Sequence, residues 1–301
     1  MRIGIVGPTA SGKSELAERL ARELAAHIVS VDSMQVYRKM DIGTAKPSPS
    51  IQQQIPHHML DVVDPAEEMS VAEFQTIGLG VIEGREAAGN QMIIVGGSGL
   101  HFRALIDPLV FPGSDPEIRA SVDATPLATL VEELLAADPG AANLVDLRNP
   151  RRVTRAVEVV RLTGLTPSVR HDTVEAQAVR DYEPVAPTVI VGVDPGGMIG
   201  RRVVARCDAM FAAGLLDEVS GLAGKVGRTA AQAVGYKELF PVVAGEITED
   251  EGRSAVVRAT LSLVRRQRTY FRRDPRVQWI QWHNDADKRW QALSQLVELT
   301  A

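Results

Sequence analysis

The sequence predicts an α/β protein: a parallel sheet flanked by helices and interrupted by an all-helical insertion domain. Three observations carry this. Over the first hundred residues, short apolar runs alternate with amphipathic helical patterns, as parallel strands covered on both faces require. A glycine-rich loop, Gly7-Pro8-Thr9-Ala10-Ser11-Gly12-Lys13-Ser14, joins the first strand to the first helix and fits G-x-x-x-x-G-K-[ST]. After a breaker cluster, Phe111-Pro112-Gly113-Ser114-Asp115-Pro116, the patterns turn helical, and a strand-like run returns only at Thr188. The expected organisation is a core of residues 1–111 and 183–301 around a helical insertion of residues 112–182.

The elements follow in order. Residues 3–6 read as the first strand. The helix after the loop puts Leu16, Leu20 and Leu24 on one stripe and Glu15–Arg19 and Glu18–Arg22 pairs on its surface. Strand, loop and helix in this order make a P-loop NTPase-like core. Backbone N–H groups converge on a di- or triphosphate at a helix N-terminus, Lys13 adds a point charge, and Ser14 offers a hydroxyl to Mg²⁺. Residues 27–31 form a second strand ending at Asp32-Ser33, and residues 41–64 read as a long loop rich in Pro, Gln and His. A helix is expected over 70–84 with Val71, Phe74, Ile77 and Val81 inward, weakened by Gly78 and Gly80. The third strand, 92–95, ends at Gly96-Gly97-Ser98-Gly99. Ligands of such sheets bind beyond the carboxyl ends of the strands. Those ends carry the P-loop, Asp32 and Ser98.

In the insertion, Leu127, Leu130, Val131, Leu134 and Leu135 form one stripe. Asn149-Pro150 opens a second helix with Val153, Ala156, Val157 and Val160 inward. Helices resume over 201–224 and 253–272, and residues 277–282 read as an edge strand.

The 301 residues, 45% hydrophobic and 24% charged, are ordinary for a soluble globular protein. A net charge of −5 gives no general attraction to nucleic acid. The single cysteine, Cys207, excludes an internal disulfide and a cysteine-rich zinc site. No apolar run reaches about 18 residues, the length of a membrane span. A strand at residue 3 leaves no room for a secretory leader. The chain is expected to be cytoplasmic and to have no membrane partner.

Asp32, at the end of a strand beside the phosphate loop, has three available roles: Mg²⁺ ligand, general base or turn cap. The third strand ends without an acid, which turns the reading from motor ATPases toward small-molecule kinases and their relatives. Arg148, Arg151, Arg152 and Arg155 fall at offsets that share one helix face. Arg258, Arg265, Arg266, Arg268, Arg272 and Arg273 lie in a stretch with no acid from Gly252 to Arg273, interleaved with Tyr270 and Phe271. Unpaired arginines at this density, with aromatics among them, read as a phosphate-backbone contact. Arg202 and Arg206, one turn apart, are either a solvated face or a clamp on a departing phosphate.

Six ordered segments together resemble the bacterial tRNA dimethylallyltransferases, also called tRNA isopentenyltransferases. They are GPTASGKS at 7–14, VDSMQVYRKMDIGTAKP at 31–47, IVGGSGLHFRAL at 94–105, NPRRVTRAV at 149–157, AVGYKE at 233–238 and RRQRTYFR at 265–272. The resemblance implies transfer of the allyl group of dimethylallyl diphosphate to the exocyclic amine of the adenosine just 3′ of a tRNA anticodon, with release of diphosphate. It implies that Asp32 is the general base, that Ser98 lies near the reacting amine and bridging oxygen, and that Lys13 and Mg²⁺ near Ser14 meet the leaving group. Arg202 or Arg206 would clamp the diphosphate, with Arg202 preferred. By the same resemblance the tRNA meets Asp32, Ser33, Met34 and Gln35, Arg119, Arg151, Arg152 and Arg155, Gln232, Gly235, Tyr236 and Lys237, and Arg265, Arg266, Gln267, Arg268 and Arg272. The helical insertion would grip the anticodon stem. No protein partner is expected, and the chain is expected to be a monomer. Ser14 and Ser98 stand where threonine is common, His101 where an aromatic is frequent, and Lys39 where glycine is frequent. The alternative reading is a P-loop nucleoside or nucleotide kinase, in which Asp32 would activate a hydroxyl.

Overall fold

A computed structural model of the chain describes residues 2–298. Six strands, β1 (Arg2–Val6), β2 (His27–Val31), β3 (His57–His58), β4 (Met92–Gly96), β5 (Thr188–Gly192) and β6 (Val277–Trp279), form one sheet in the order β3-β2-β4-β1-β5-β6. Every pairing is parallel; Ile3 of β1 lies opposite Ile93 of β4 and Val189 of β5. The two central strands are buried along their whole length, which is why they read as continuous apolar runs. Helix Lys13–Leu24 covers one face through Leu16 and Leu20, beside Leu293 and Val297 of helix Ala286–Glu298. Phe74, Phe102 and Phe271 pack on the other face. Among the described residues no helix is long and apolar enough to cross a membrane.

Four elements differ from expectation, each for a local reason. The stretch 41–64 is more than a loop. Ser48 caps a short helix, Pro49–Gln54, and β3 then pairs with Ile28 and Val29. A two-residue strand is too short to leave a periodic signal. Helix Val71–Ala87 opens on a Ser70/Glu73 capping box. It buries Phe74, Gly78 and Ile82 and leaves Ile77 exposed. Gly78 turns the face, because a Cβ there would stand 2.6 Å from Leu105. The glycine that weakens the periodicity is the one that admits the neighbouring helix Gly99–Ile106. Residues 201–224 are two helices, Ile199–Ala212 and Leu215–Leu222, parted at Gly214 with φ 94. The arginine-rich helix is longer than expected, Glu249–Phe271, and starts at a Thr248/Glu251 capping box.

Residues up to Ile106 and from Ala186 onward form one compact unit, and Asp107–Val185 form a second. The division falls a few residues outside the expected 111/112 and 182/183. The chain leaves the sheet layers with the end of helix Gly99–Ile106, ahead of the breaker cluster. The second unit is helical and closes over Val122, Leu130, Leu134, Ala141, Val153 and Val157. Its helix Pro150–Thr163 ends on Gly164 with φ 72. Arg148 precedes that helix, so it does not share a helix face with Arg151, Arg152 and Arg155.

Candidate active site

The loop Gly7–Ser14 wraps the start of helix Lys13–Leu24 and is braced from outside. Gly7 passes so close to β5 that a Cβ would stand 2.1 Å from the Val193 carbonyl oxygen. Ala10 (φ 62) and Gly12 (φ 92) take the left-handed turns that point successive N–H groups inward. Three side chains from distant segments hold this shape. Gln267 Oε1 accepts the Thr9 N–H at 2.8 Å, Arg202 Nε donates to the Ala10 carbonyl at 2.7 Å, and Trp282 Nε1 donates to the Ser11 carbonyl at 3.3 Å. The Trp282 ring lies between the guanidinium groups of Arg202 and Arg289 at 5.4 and 5.3 Å.

Two cavities of about 220 and 240 Å³ open from the loop, and both are lined by Thr9, Lys13, Asp32, Thr44 and Arg206. Ser98, Ser33, Met34 and Gln232 belong to the first; Ser14, Gln35 and the 45–48 segment belong to the second. Asp32 follows β2 directly, and its Oδ1 accepts the Met34 N–H at 2.9 Å. The turn-cap role is therefore real, and it fixes the carboxylate in place while leaving Oδ2 free of it. Ser98 Oγ accepts the Ser33 N–H at 3.3 Å, which ties the ends of β2 and β4. Burial, helped by the charge of Arg206 and opposed by Asp32, pushes Lys13 down to about 8. Burial also lowers Arg206, while Asp32 steadies its charge. Burial lowers His101 in turn; its ring meets Phe74 edge-on at 4.8 Å, with Asp32 opposing the shift.

The structure thus gathers Lys13, Asp32, Ser98 and Arg206 at the strand ends. It favours Arg206 over Arg202 as the arginine facing the cavities: Arg202 lines neither and is committed to the loop carbonyl and Trp282. Several residues assigned to tRNA contact are occupied inside the protein. Tyr236 is fully buried, its hydroxyl on Glu218 at 2.6 Å. Gln267 is buried on the phosphate loop. Gln35 donates to the Thr44 and Ala45 carbonyls and accepts Ser30 Oγ. Arg268 meets Asp194, which follows β5, and Phe271 is in the core beside Phe102; Arg272 also reaches Asp194, but its side chain stays 64% exposed. The acid-free stretch had drawn its partner from another segment. Arg265 and Arg266 remain exposed, with the Leu261 carbonyl and Ser262 Oγ as their hydrogen-bond partners. Gln232 and Gly235 line the first cavity, and Lys237 donates to Gln232. In the helical unit, Arg151 and Arg152 are exposed, whereas Arg119 and Arg155 both reach the fully buried Glu158.

The turn Gly96-Gly97-Ser98-Gly99 has a packing role that its sequence did not disclose. A Cβ at Gly97 would stand 2.4 Å from the Gln267 amide, and one at Gly99 would stand 2.1 Å from the Tyr270 ring. The glycines let the arginine helix lie directly on the end of β4. Lys39, at a position where the resembled family favours glycine, has φ 63, a conformation glycine adopts without strain.

A parallel sheet with a glycine-rich loop after β1 and a carboxylate, a hydroxyl and an arginine at the neighbouring strand ends has the layout of an enzyme's active site. The chain belongs to the IPP transferase family, whose model matches residues 35–274, and it is a transferase. The tRNA dimethylallyltransferases of Streptomyces avermitilis and Streptomyces griseus are each 45% identical to this chain, over 287 and 289 residues, and in both cases the match covers 92% of this chain and 89% of the relative. The crystal structure of the full-length tRNA isopentenylpyrophosphate transferase from Bacillus halodurans superposes with a TM-score of 0.72 at 31% identity, covering 99% of this chain and 95% of that one.

Proposed function

We propose that this chain transfers the dimethylallyl group of dimethylallyl diphosphate to the exocyclic amine of the adenosine 3′ to a tRNA anticodon. The observation that carries the reading is the pair of cavities sharing one wall, with Lys13, Arg206 and Asp32 on the dividing line. A diphosphate in the loop would put its allyl carbon near that line, and an adenine amine entering the first cavity would meet it beside Asp32. The new C–N bond forms as the C–O bond to diphosphate breaks, and the electron pair leaves with the bridging oxygen. Loop amides, Lys13 and Arg206 meet the charge that develops there. The amine proton passes to Asp32, whose carboxylate is held by the Met34 N–H. The adenine must leave the anticodon stack, which a single-stranded loop allows at little cost.

Mg²⁺ fits this site. Ser14 opens the loop helix and lines the second cavity with Asp32, and both are hard oxygen donors of the kind the ion shares with substrate phosphates. When bound, it would neutralise charge on the diphosphate. Arg265, Arg266 and Arg272, and in the helical unit Arg151 and Arg152, are exposed cations available to the tRNA backbone. A monomer working in the cytoplasm fits this chemistry.

The test is to incubate the protein with Mg²⁺, unmodified tRNA carrying adenosine after the anticodon, and either dimethylallyl diphosphate or ATP. The tRNA is then digested and its nucleosides weighed. A five-carbon gain on adenosine with the allyl donor alone supports the transfer. No gain, together with ATP consumption on a small nucleotide, overturns it in favour of a kinase.

A further inference from the structure

The segment 41–48 forms a wall of both cavities. Gly43 and Thr44 face the first, and Thr44 to Ser48 face the second. A connecting loop has no ladder of its own to hold it, so something else must. Lys46, whose side chain is 3% exposed, ties the later half back through the Tyr37 carbonyl, Asp41 and Asp61. The earlier half is held by one carboxylate from outside the site. Glu218, in the first turn of helix Leu215–Leu222, accepts the N–H groups of Asp41 (2.9 Å) and Ile42 (2.8 Å) on Oε2. On Oε1 it accepts the Gly43 N–H (3.0 Å) and the Tyr236 hydroxyl (2.6 Å). Four donors on one ionised carboxylate fill its acceptor sites with charge-assisted bonds. The fully buried Tyr236 ring also lies under Gly43, where any Cβ would stand 2.5 Å from it. Neither Glu218 nor Tyr236 lines a cavity. Both act on the site through the loop.

We infer that Glu218, steadied by Tyr236, is a positioning residue that clamps residues 41–43 and thereby sets the wall that Gly43 and Thr44 give the first cavity. The inference rests on the reading of that cavity as the place where the adenine amine enters. Glu218→Gln is an informative variant because of the symmetry of the contacts. Whichever way the amide is turned, its NH₂ faces two donors where a carboxylate oxygen had accepted both. Glu218→Asp keeps both acceptor oxygens and shortens the arm by one methylene.

The experiment has two arms. Hydrogen–deuterium exchange reads the clamp without turnover. In Glu218→Gln the amides of residues 41–43 should exchange about tenfold faster, the effect of losing bonds to a charged acceptor, while the amides of β1 and β4 keep their wild-type rates. Steady-state kinetics reads the consequence. KM for tRNA should rise about tenfold, with kcat and KM for dimethylallyl diphosphate less affected, and part of the loss recovered in Glu218→Asp. Unchanged exchange at 41–43 overturns the inference. So does faster exchange spread evenly through the sheet with kcat falling alone, which marks a residue of general stability. Should Glu218→Gln fail to fold, Tyr236→Phe removes one of the four donors and keeps the ring. Faster exchange at Gly43 then supports the clamp, and none overturns it. A wild-type protein that does not transfer the allyl group overturns the functional reading, and the exchange arm still decides whether the clamp exists.

Discussion

Arg268 grips Asp194 with two nitrogens, Nε at 3.1 Å and Nη2 at 2.5 Å, and Nη2 also donates to the Gly196 carbonyl at 2.6 Å. The side chains of Asp194 and Arg268 are 8% and 21% exposed, so this arginine is turned toward the interior, whereas Arg265 and Arg266 are exposed. Arg268→Ala should lower stability by about 1–3 kcal/mol, the cost of leaving a buried acceptor short of a charged donor. It should leave the salt dependence of tRNA binding unchanged. Arg265→Ala and Arg266→Ala should do the reverse, each reducing the slope of log Kd against log salt by about 1 with little change in melting temperature. Titrations at several salt concentrations, with thermal melts of the same variants, separate the two sets.

Asp32→Asn keeps an oxygen to accept the Met34 N–H and removes the basic carboxylate. Transfer should slow by about 10²–10⁴-fold, with tRNA affinity changed only a few-fold. Single-turnover rates alongside equilibrium binding check this. A variant that keeps near-wild-type turnover would remove Asp32 as the base.

Lys13 is pushed from 10.5 to about 8, first by burial and then by Arg206, with Asp32 opposing. A lowered lysine pKa means that the fold disfavours the charged form. The destabilisation is full below pH 8 and fades as pH rises from 8 to 10.5, where the unfolded chain also gives up its proton. Lys13→Met should therefore raise the melting temperature at pH 7 by about 2–4 °C and abolish donor binding. The gain over wild type should vanish near pH 10.5. Melts across that range, with pyrophosphate binding measured by calorimetry, test both halves.

His58 is held down to about 4, by burial and then by the neighbouring charges of His27, Arg85 and His57, and its Nε2 lies 3.0 Å from His27 Nδ1. Its depressed pKa makes the neutral ring the native form. That contribution is complete above pH 6.5 and is lost as pH falls from 6.5 toward 4. Denaturant unfolding at pH 7.0, 5.5 and 4.5 (about the two ends and the middle of this window) should show a shallower acid slope in His58→Gln. The difference should approach about 1.4 kcal/mol per pH unit for one proton.

Much of this was readable because it is local. The P-loop is eight consecutive residues, and the strands that flank it are apolar runs buried on both sides. Asp32 and Ser98 could be placed because the ends of parallel strands converge. What escaped the sequence is what depends on distant partners. Gln267 meets Thr9 across 258 positions, and Arg268 meets Asp194 across 74. Glu218 looks like an ordinary acid in a first helical turn until four donors are found around it. Tyr236 and Phe271 sit in motifs that read as surface and prove to be core, because periodicity does not say which side of a helix faces a sheet. Gly78 illustrates the same limit: it spoils the helical stripe and is the residue the packing needs.

The phosphate loop precedes the groups that brace it, Gln267 and Trp282, by 258 and 271 positions. On the ribosome, residues 7–14 emerge long before these braces are made. The nascent chain can pair β1 with β4 long before it has a working cradle for a diphosphate. A messenger truncated before codon 267 would yield a product with every residue of the motif and no finished donor site. The finished shape of the loop is thus acquired only after residues 267 and 282 have been made, so a shorter nascent chain carries the motif without its braces.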